Sequence, residues 1–146
     1  MRIEIINDFV SDYKFNKNTI LNILSSIYQD EKKKIKSVNF IFTNDDHLKS
    51  LKKTYFNQNY YTDVISFNLE SESEEIEGEI YISMERIIEN SIKFSCTVNE
   101  ELKRIVIHGF LHLFGYDDQS ILDKKKMTAL ENKYINIHIN SILLNK

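Results

Sequence analysis

Thr97-Val98-Asn99-Glu100-Glu101-Leu102-Lys103-Arg104-Ile105-Val106-Ile107-His108-Gly109-Phe110-Leu111-His112-Leu113-Phe114-Gly115 is the best-marked helix of this 146-residue chain. Thr97 to Glu100 reads as a capping box: the Thr97 hydroxyl accepts from the Glu100 amide, and Glu100 reaches back. Leu102, Ile105, Val106, Ile107, Leu111, Leu113 and Phe114 make the helix apolar nearly all round, which predicts burial of most of its surface. Gly115 is well placed to end it in a left-handed conformation. A helix buried on several faces needs layers around it, and the flanking sequence offers them.

Upstream, Ile3 and Ile5 have the period-2 spacing of a strand over residues 2–7. Ile20, Leu21, Ile23, Leu24 and Ile27 have helical spacing, predicting a helix over 18–33. Val38, Phe40 and Phe42 read as a second strand. Asp45 or Asp46 is expected to cap a helix through Tyr55. Val64 to Phe67 and Ile80 to Ile82 read as strands three and four, and Ser83 is expected to cap a short helix. The acidic stretch Glu70 to Glu79 is expected to be an exposed loop. Downstream, Ser120 to Asp123 opens a last helix through Met127, Leu130 and Tyr134 toward Leu144. The fold class expected is α+β: a mixed sheet of about four strands with about five helices, the long helix at its centre. Residues 1–146 are expected to form a single domain.

Composition bounds the function. Nineteen Lys and Arg against 22 Asp and Glu leave a formal charge of −3, which excludes a wholly cationic nucleic-acid binder but not a local basic patch. The chain holds 16 lysines, 15 asparagines and 22 isoleucines, all with AT-rich codons, so runs such as Lys32-Lys33-Lys34 and Lys124-Lys125-Lys126 are read as solvated helix faces. The single cysteine, Cys96, excludes an intrachain disulfide and a four-cysteine zinc site. No secretory pattern is seen in Met1 to Asp8, and no apolar run reaches 18 residues. A cytoplasmic protein with no membrane span is expected.

His108 and His112 carry the chemistry. Four residues turn a helix by about 400°, so the imidazoles sit about 40° apart and one turn along the axis, where both can meet one cation. Gly115 lets the chain double back, and Asp118 follows His112 closely enough to complete three ligands. Three protein ligands with one open position is the arrangement of catalytic zinc, and imidazole favours Zn²⁺ over Mg²⁺ or Ca²⁺. Such an ion lowers the pKa of bound water toward about 7. A lone histidine on an apolar helix is ordinarily a hydrogen-bonded core residue; two at metal spacing before a glycine turn and a carboxylate are not. His47 and His138 have no partner at ligand spacing and are read as surface residues. Zinc proteases place Glu after the first His. Gly109 stands there instead, which argues against peptide hydrolysis and points to close approach of a neighbour or a substrate.

The run His108-Gly109-Phe110-Leu111-His112-Leu113-Phe114-Gly115-Tyr116-Asp117 resembles the signature His-Gly-x-Leu-His-Leu-x-Gly-Tyr-Asp-His of the YbeY family of bacterial endoribonucleases. Thr62-Asp63-Val64-Ile65-Ser66-Phe67 resembles the family's Thr-Asp-Val-Leu-Ser-Phe strand, and Gly78-Glu79-Ile80-Tyr81-Ile82 its Gly-Asp-Ile-x-Ile strand. Met127 and Glu131 match the Met and Glu spaced after the metal motif. The resemblance spans about residues 1–135. It implies one zinc ion on three ligands and an endoribonuclease specific for single strands, acting in 3′-end maturation of 16S ribosomal RNA and in ribosome quality control. Its partners would be RNA and the small ribosomal subunit, with no DNA expected.

Three departures matter. The family's third ligand is usually His; here it is Asp118, with Asp117 one residue away as the alternative. Two His and one Asp leave a site charge of about +1 instead of +2, so bound water is expected to be less acidified. Alignment puts Phe56 where the family has an Arg suited to phosphate charge, with Lys52 or Lys53 nearby, and Tyr61 stands in place of a Pro. Tyr60, Tyr61 and Phe67 are candidate stacking faces for unpaired bases, against core packing as the plainer role. Lys49, Lys52 and Lys53 are candidate phosphate contacts, against solvated surface. The general base is not identifiable. The alternative reading is a non-catalytic ribosome-assembly factor with a structural zinc.

Overall fold

The computed structural model describes residues 1–9, 12–69 and 75–144. The order of elements is β1 (Arg2–Asn7), α1 (Lys17–Glu31), β2 (Lys34–Thr43), α2 (Asp45–Phe56), β3 (Val64–Asn68), β4 (Glu75–Ser83), α3 (Met84–Lys93), α4 (Val98–Leu113) and α5 (Ile121–Ile137). The fold is α+β, as expected. One four-stranded sheet runs β1-β2-β4-β3. β1, β2 and β4 are parallel neighbours and β3 is antiparallel to β4. Parallel pairing needs a crossover, and α1 supplies it between β1 and β2.

α4 lies against this sheet with Leu102, Val106, Ile107, Phe110 and Leu111 fully buried. Each such side chain contributes about 1.5–3 kcal/mol when removed from water. The close approach foreseen at Gly109 is to a neighbour: a Cβ there would come within 2.9 Å of Ile80 Cγ2 and 3.3 Å of Ser66 Oγ. The Ser66 hydroxyl donates to the Gly109 carbonyl at 3.0 Å. Lacking a side chain, Gly109 lets the helix bearing both histidines settle onto β3 and β4.

The structure corrects several expectations. β4 begins at Glu75, inside the stretch expected to be a loop, because Ile76, Gly78, Ile80 and Ile82 alternate onto its buried face while Glu75, Glu77 and Glu79 turn outward. Residues 70–74 of that stretch lie outside the described residues. Asn44, not Asp45 or Asp46, caps α2, its side chain accepting from the His47 amide at 2.9 Å. Asp45 is instead drawn to Arg86, 2.7 Å away. α5 stops at Ile137, and Leu143 pairs with Phe15.

Candidate metal centre

Arg104, His108 and His112 stand four residues apart on one stripe of α4. Thr97 starts the helix, its hydroxyl accepting from the Glu100 amide at 3.0 Å. The Glu100 carboxylate returns to that hydroxyl at 3.1 Å. At the other end the chain reverses at Gly115, whose φ of 98° is in the left-handed region. The reversal brings Asp118 onto the histidines. His108 Nε2 and His112 Nε2 are 2.9 Å apart. Asp118 Oδ2 lies 3.3 Å from the first and Oδ1 3.8 Å from the second. Asp117 points elsewhere, accepting the Asp118 amide at 2.7 Å. Among the described residues, His108, His112 and Asp118 are the one group of three able to hold a metal ion.

The protons around this cluster make its purpose legible. His108 Nδ1 lies 2.7 Å from a Glu131 carboxylate oxygen. His112 Nδ1 lies 2.9 Å from the Tyr116 carbonyl. Both partners only accept, so each Nδ1 carries a hydrogen and each neutral ring turns a bare Nε2 lone pair inward. Two lone pairs and a carboxylate then face one point, an arrangement that needs a positive charge between them. The pKa shifts of the two rings run in opposite directions. Burial works against a charged His108, but the Glu131 hydrogen bond and charge override it and raise its pKa. Burial and the adjacent His108 lower that of His112. A tetrahedral ion with bonds of 2.0–2.1 Å has ligand edges of about 3.3–3.4 Å. His108 Nε2 and Asp118 Oδ2 stand at that separation, the two imidazole nitrogens somewhat closer, so the donor set fits zinc.

Glu131 and Asp63 are residues to which sequence pattern alone assigns no role. Glu131 is buried, and its other oxygen takes Arg104 at 2.9 Å. The signal was its place on the buried stripe of α5 with Met127 and Tyr134, where an unpaired carboxylate would be costly. Asp63 stands just before β3, and burial raises its carboxyl pKa. It lines two cavities. One, of about 480 Å³, also holds Glu101, Arg104 and Glu131. The other is a groove of about 420 Å³ in which Lys52, Phe56 and Tyr60 face His108, His112 and Asp118.

Other expected residues fall differently. His47 and His138 are half-buried rather than on the surface, the first against Thr43 Oγ1 and the second against Ser26 Oγ. Phe67 packs against Tyr55, Phe56 and Tyr81, so its faces are taken; Tyr61, with Lys49 and Arg86 near its ring, is exposed but stands outside the groove. Tyr60 alone of the three lines the groove, as does Lys52; Lys53 is exposed outside it. Lys33 is not a mere solvated charge: its ammonium donates to the Phe114 carbonyl at 2.9 Å, where the end of α4 is negative. Among the described residues, no helix is long and apolar enough to cross a membrane.

Fold and site together define an α+β protein with a two-histidine, one-carboxylate candidate metal centre at the end of a buried helix. The chain belongs to the YbeY endoribonuclease family, whose model, described as "Endoribonuclease YbeY", matches residues 5–138. It is 44% identical over 109 residues to the Endoribonuclease YbeY of Karelsulcia muelleri, covering 75% of this chain and 77% of that one. It is 39% identical over 127 residues to that of Flavobacterium psychrophilum, covering 86% and 90%. A solution structure of a Thermotoga maritima protein matches with a TM-score of 0.58 at 30% identity, covering 93% of this chain and 87% of the other.

Proposed function

We propose that this chain is a zinc-dependent endoribonuclease that hydrolyses phosphodiester bonds of single-stranded RNA. Its place would be the cytoplasm, in 3′-end maturation of 16S ribosomal RNA on the small subunit and in ribosome quality control, with residues 1–146 acting as one domain. The observation that carries the reading is the convergence of His108 Nε2, His112 Nε2 and Asp118 at 2.9–3.8 Å, with an acceptor, Glu131 or the Tyr116 carbonyl, at each Nδ1. Bound there, zinc supplies a Lewis acid for a phosphoryl oxygen and a water of lowered pKa.

The chain's own residues do the rest. Glu131 fixes the ring of His108 and the Tyr116 carbonyl fixes that of His112, so neither turns away from the ion. The groove beside them, lined from α2 and β3, is the path by which a strand would reach the cluster. Asp118 contributes one negative charge, leaving the loaded site about +1, still attractive to a phosphodiester.

The test is zinc content by elemental analysis alongside cleavage of single-stranded and duplex RNA, in wild type and in His112→Ala. One zinc per chain and cleavage of the single strand are expected in wild type, and both are lost in the variant. Cleavage that survives loss of the metal ends this mechanism. Bound zinc without cleavage would turn the reading to a non-catalytic ribosome-assembly factor.

A further inference from the structure

Lys52 is the one lysine or arginine among the described residues lining the groove, which also holds the carboxylates of Asp63 and Asp118. Its ammonium rests 4.7 Å from the ring centre of Phe56 and 5.5 Å from that of Tyr60. No carboxylate pairs with it among the described residues. Phe56 and Tyr60 are 43% and 50% exposed; Phe56 stacks on Phe67 and still presents ring surface to the groove. The backbone holds this group in place: Asn57, with φ of 53°, ends α2, and the Lys52 carbonyl accepts the amides of Asn57 and Gln58. The Tyr60 hydroxyl donates to Gln58 Oε1 at 2.8 Å.

We propose that Lys52, Phe56 and Tyr60 form a nucleotide subsite, in which Lys52 takes a backbone phosphate of the RNA strand and the two rings take an unpaired base beside it. The proposal rests on the ribonuclease reading above. An ammonium over a ring at an exposed site is held only weakly. A phosphate with its full charge outcompetes that hold, and moving the ammonium onto it uncovers ring faces for a base. Every base has such a face, so the subsite is indifferent to sequence, while a base locked in a duplex has none to offer. Without Lys52, the groove meets a polyanion with two carboxylates and no fixed cation of its own beside the ion.

The experiment is equilibrium binding of a labelled single-stranded 2′-O-methyl oligoribonucleotide to the zinc-loaded full chain, across a salt series. Lys52→Gln is expected to weaken binding roughly five-fold or more and to flatten the plot of log affinity against log salt by about 0.7, the loss of one single-strand phosphate contact. Lys52→Arg restores that slope. Phe56→Ala with Tyr60→Ala weakens binding by roughly five-fold or more and leaves the slope as it was. Lys53→Gln, the same charge change on an exposed turn of α2, moves affinity by less than about two-fold. Zinc content stays at the wild-type value throughout. If Lys52→Gln and Lys53→Gln behave alike while wild type binds and cleaves RNA, the subsite is wrong and the ribonuclease reading stands. If zinc-loaded wild type neither binds nor cleaves single-stranded RNA, both fall together.

Discussion

His108 and His112 are one turn apart on the same helix, yet different parts of the molecule hold them. His108 is gripped from α5 by Glu131, a buried carboxylate that also pairs with Arg104. His112 is gripped by the carbonyl of Tyr116, part of the same reversal that delivers Asp118. The first support is a charge set into the interface between two helices. The second is a backbone shape that Gly115 permits. The first should fail through electrostatics and packing, the second through conformational strain, and the two failures can be told apart.

Glu131→Ala is the harshest test of the packed side. It leaves the His108 Nδ1–H without its acceptor and Arg104 without its carboxylate. Breaking a buried pair from one side costs about 3–5 kcal/mol. Arg104 keeps access to water and to Asn132 Oδ1 at 2.9 Å, so the low end, about 3 kcal/mol by denaturant unfolding, is expected. Loss of a residue that orients a metal ligand lowers metal affinity about 10–100-fold. Glu131→Gln keeps an acceptor and should give most of the affinity back. Equal losses in the two variants would mean that charge, not ring orientation, is what Glu131 contributes.

Proton release separates the two histidines without mutation. With no ion, the raised pKa of His108 and the lowered pKa of His112 put the first proton on His108. Ligation needs both rings neutral. Around neutrality, zinc binding should therefore release at most about one proton from this pair, measured as the buffer dependence of the binding enthalpy. Below the His108 pKa, affinity falls by up to about tenfold per pH unit, and more steeply once His112 titrates. The linkage sign on folding follows the same split. The raised pKa of His108 stabilises the metal-free chain fully below about 6.5 and is lost as pH rises through the raised value, whereas the lowered pKa of His112 opposes folding at low pH. Release of two protons at neutral pH would overturn the assignment.

These supports also mark what could be read from sequence. The two histidines, the glycine reversal and Asp118 are local features, one helix and one turn, where spacing alone constrains geometry. Glu131 meets His108 across 23 residues and Asp63 arrives from another element, so their roles depend on a tertiary arrangement that periodicity does not encode. The same holds in the fold. α4 was legible because capping and apolar pattern agreed. The start of β4 was hidden because six glutamates over residues 70–79 suggest a loop by composition, while the buried alternation of Ile76, Gly78, Ile80 and Ile82 shows a strand. Phe67 reads as a free aromatic in sequence, and only packing shows that its faces are taken.

The turn side of the comparison calls for a gentler break. At Gly115 an added Cβ would meet only Lys33 Nζ at 3.6 Å, so space is not the constraint; the φ of 98° is. Gly115→Ala should therefore cost about 1–2 kcal/mol through the backbone, with zinc affinity falling because the strained turn carries both Asp118 and the carbonyl that orients His112. Gly115→Asn should cost less, since Asn tolerates the left-handed region. Lys33→Met removes only an exposed side chain's bond to the Phe114 carbonyl, and a change of under about 1 kcal/mol is expected. The decisive quantity is the ratio of the two effects measured by unfolding and by zinc competition. If Gly115→Ala lowers stability without touching zinc affinity, the reversal serves the fold alone, and the position of Asp118 is set by something other than the turn.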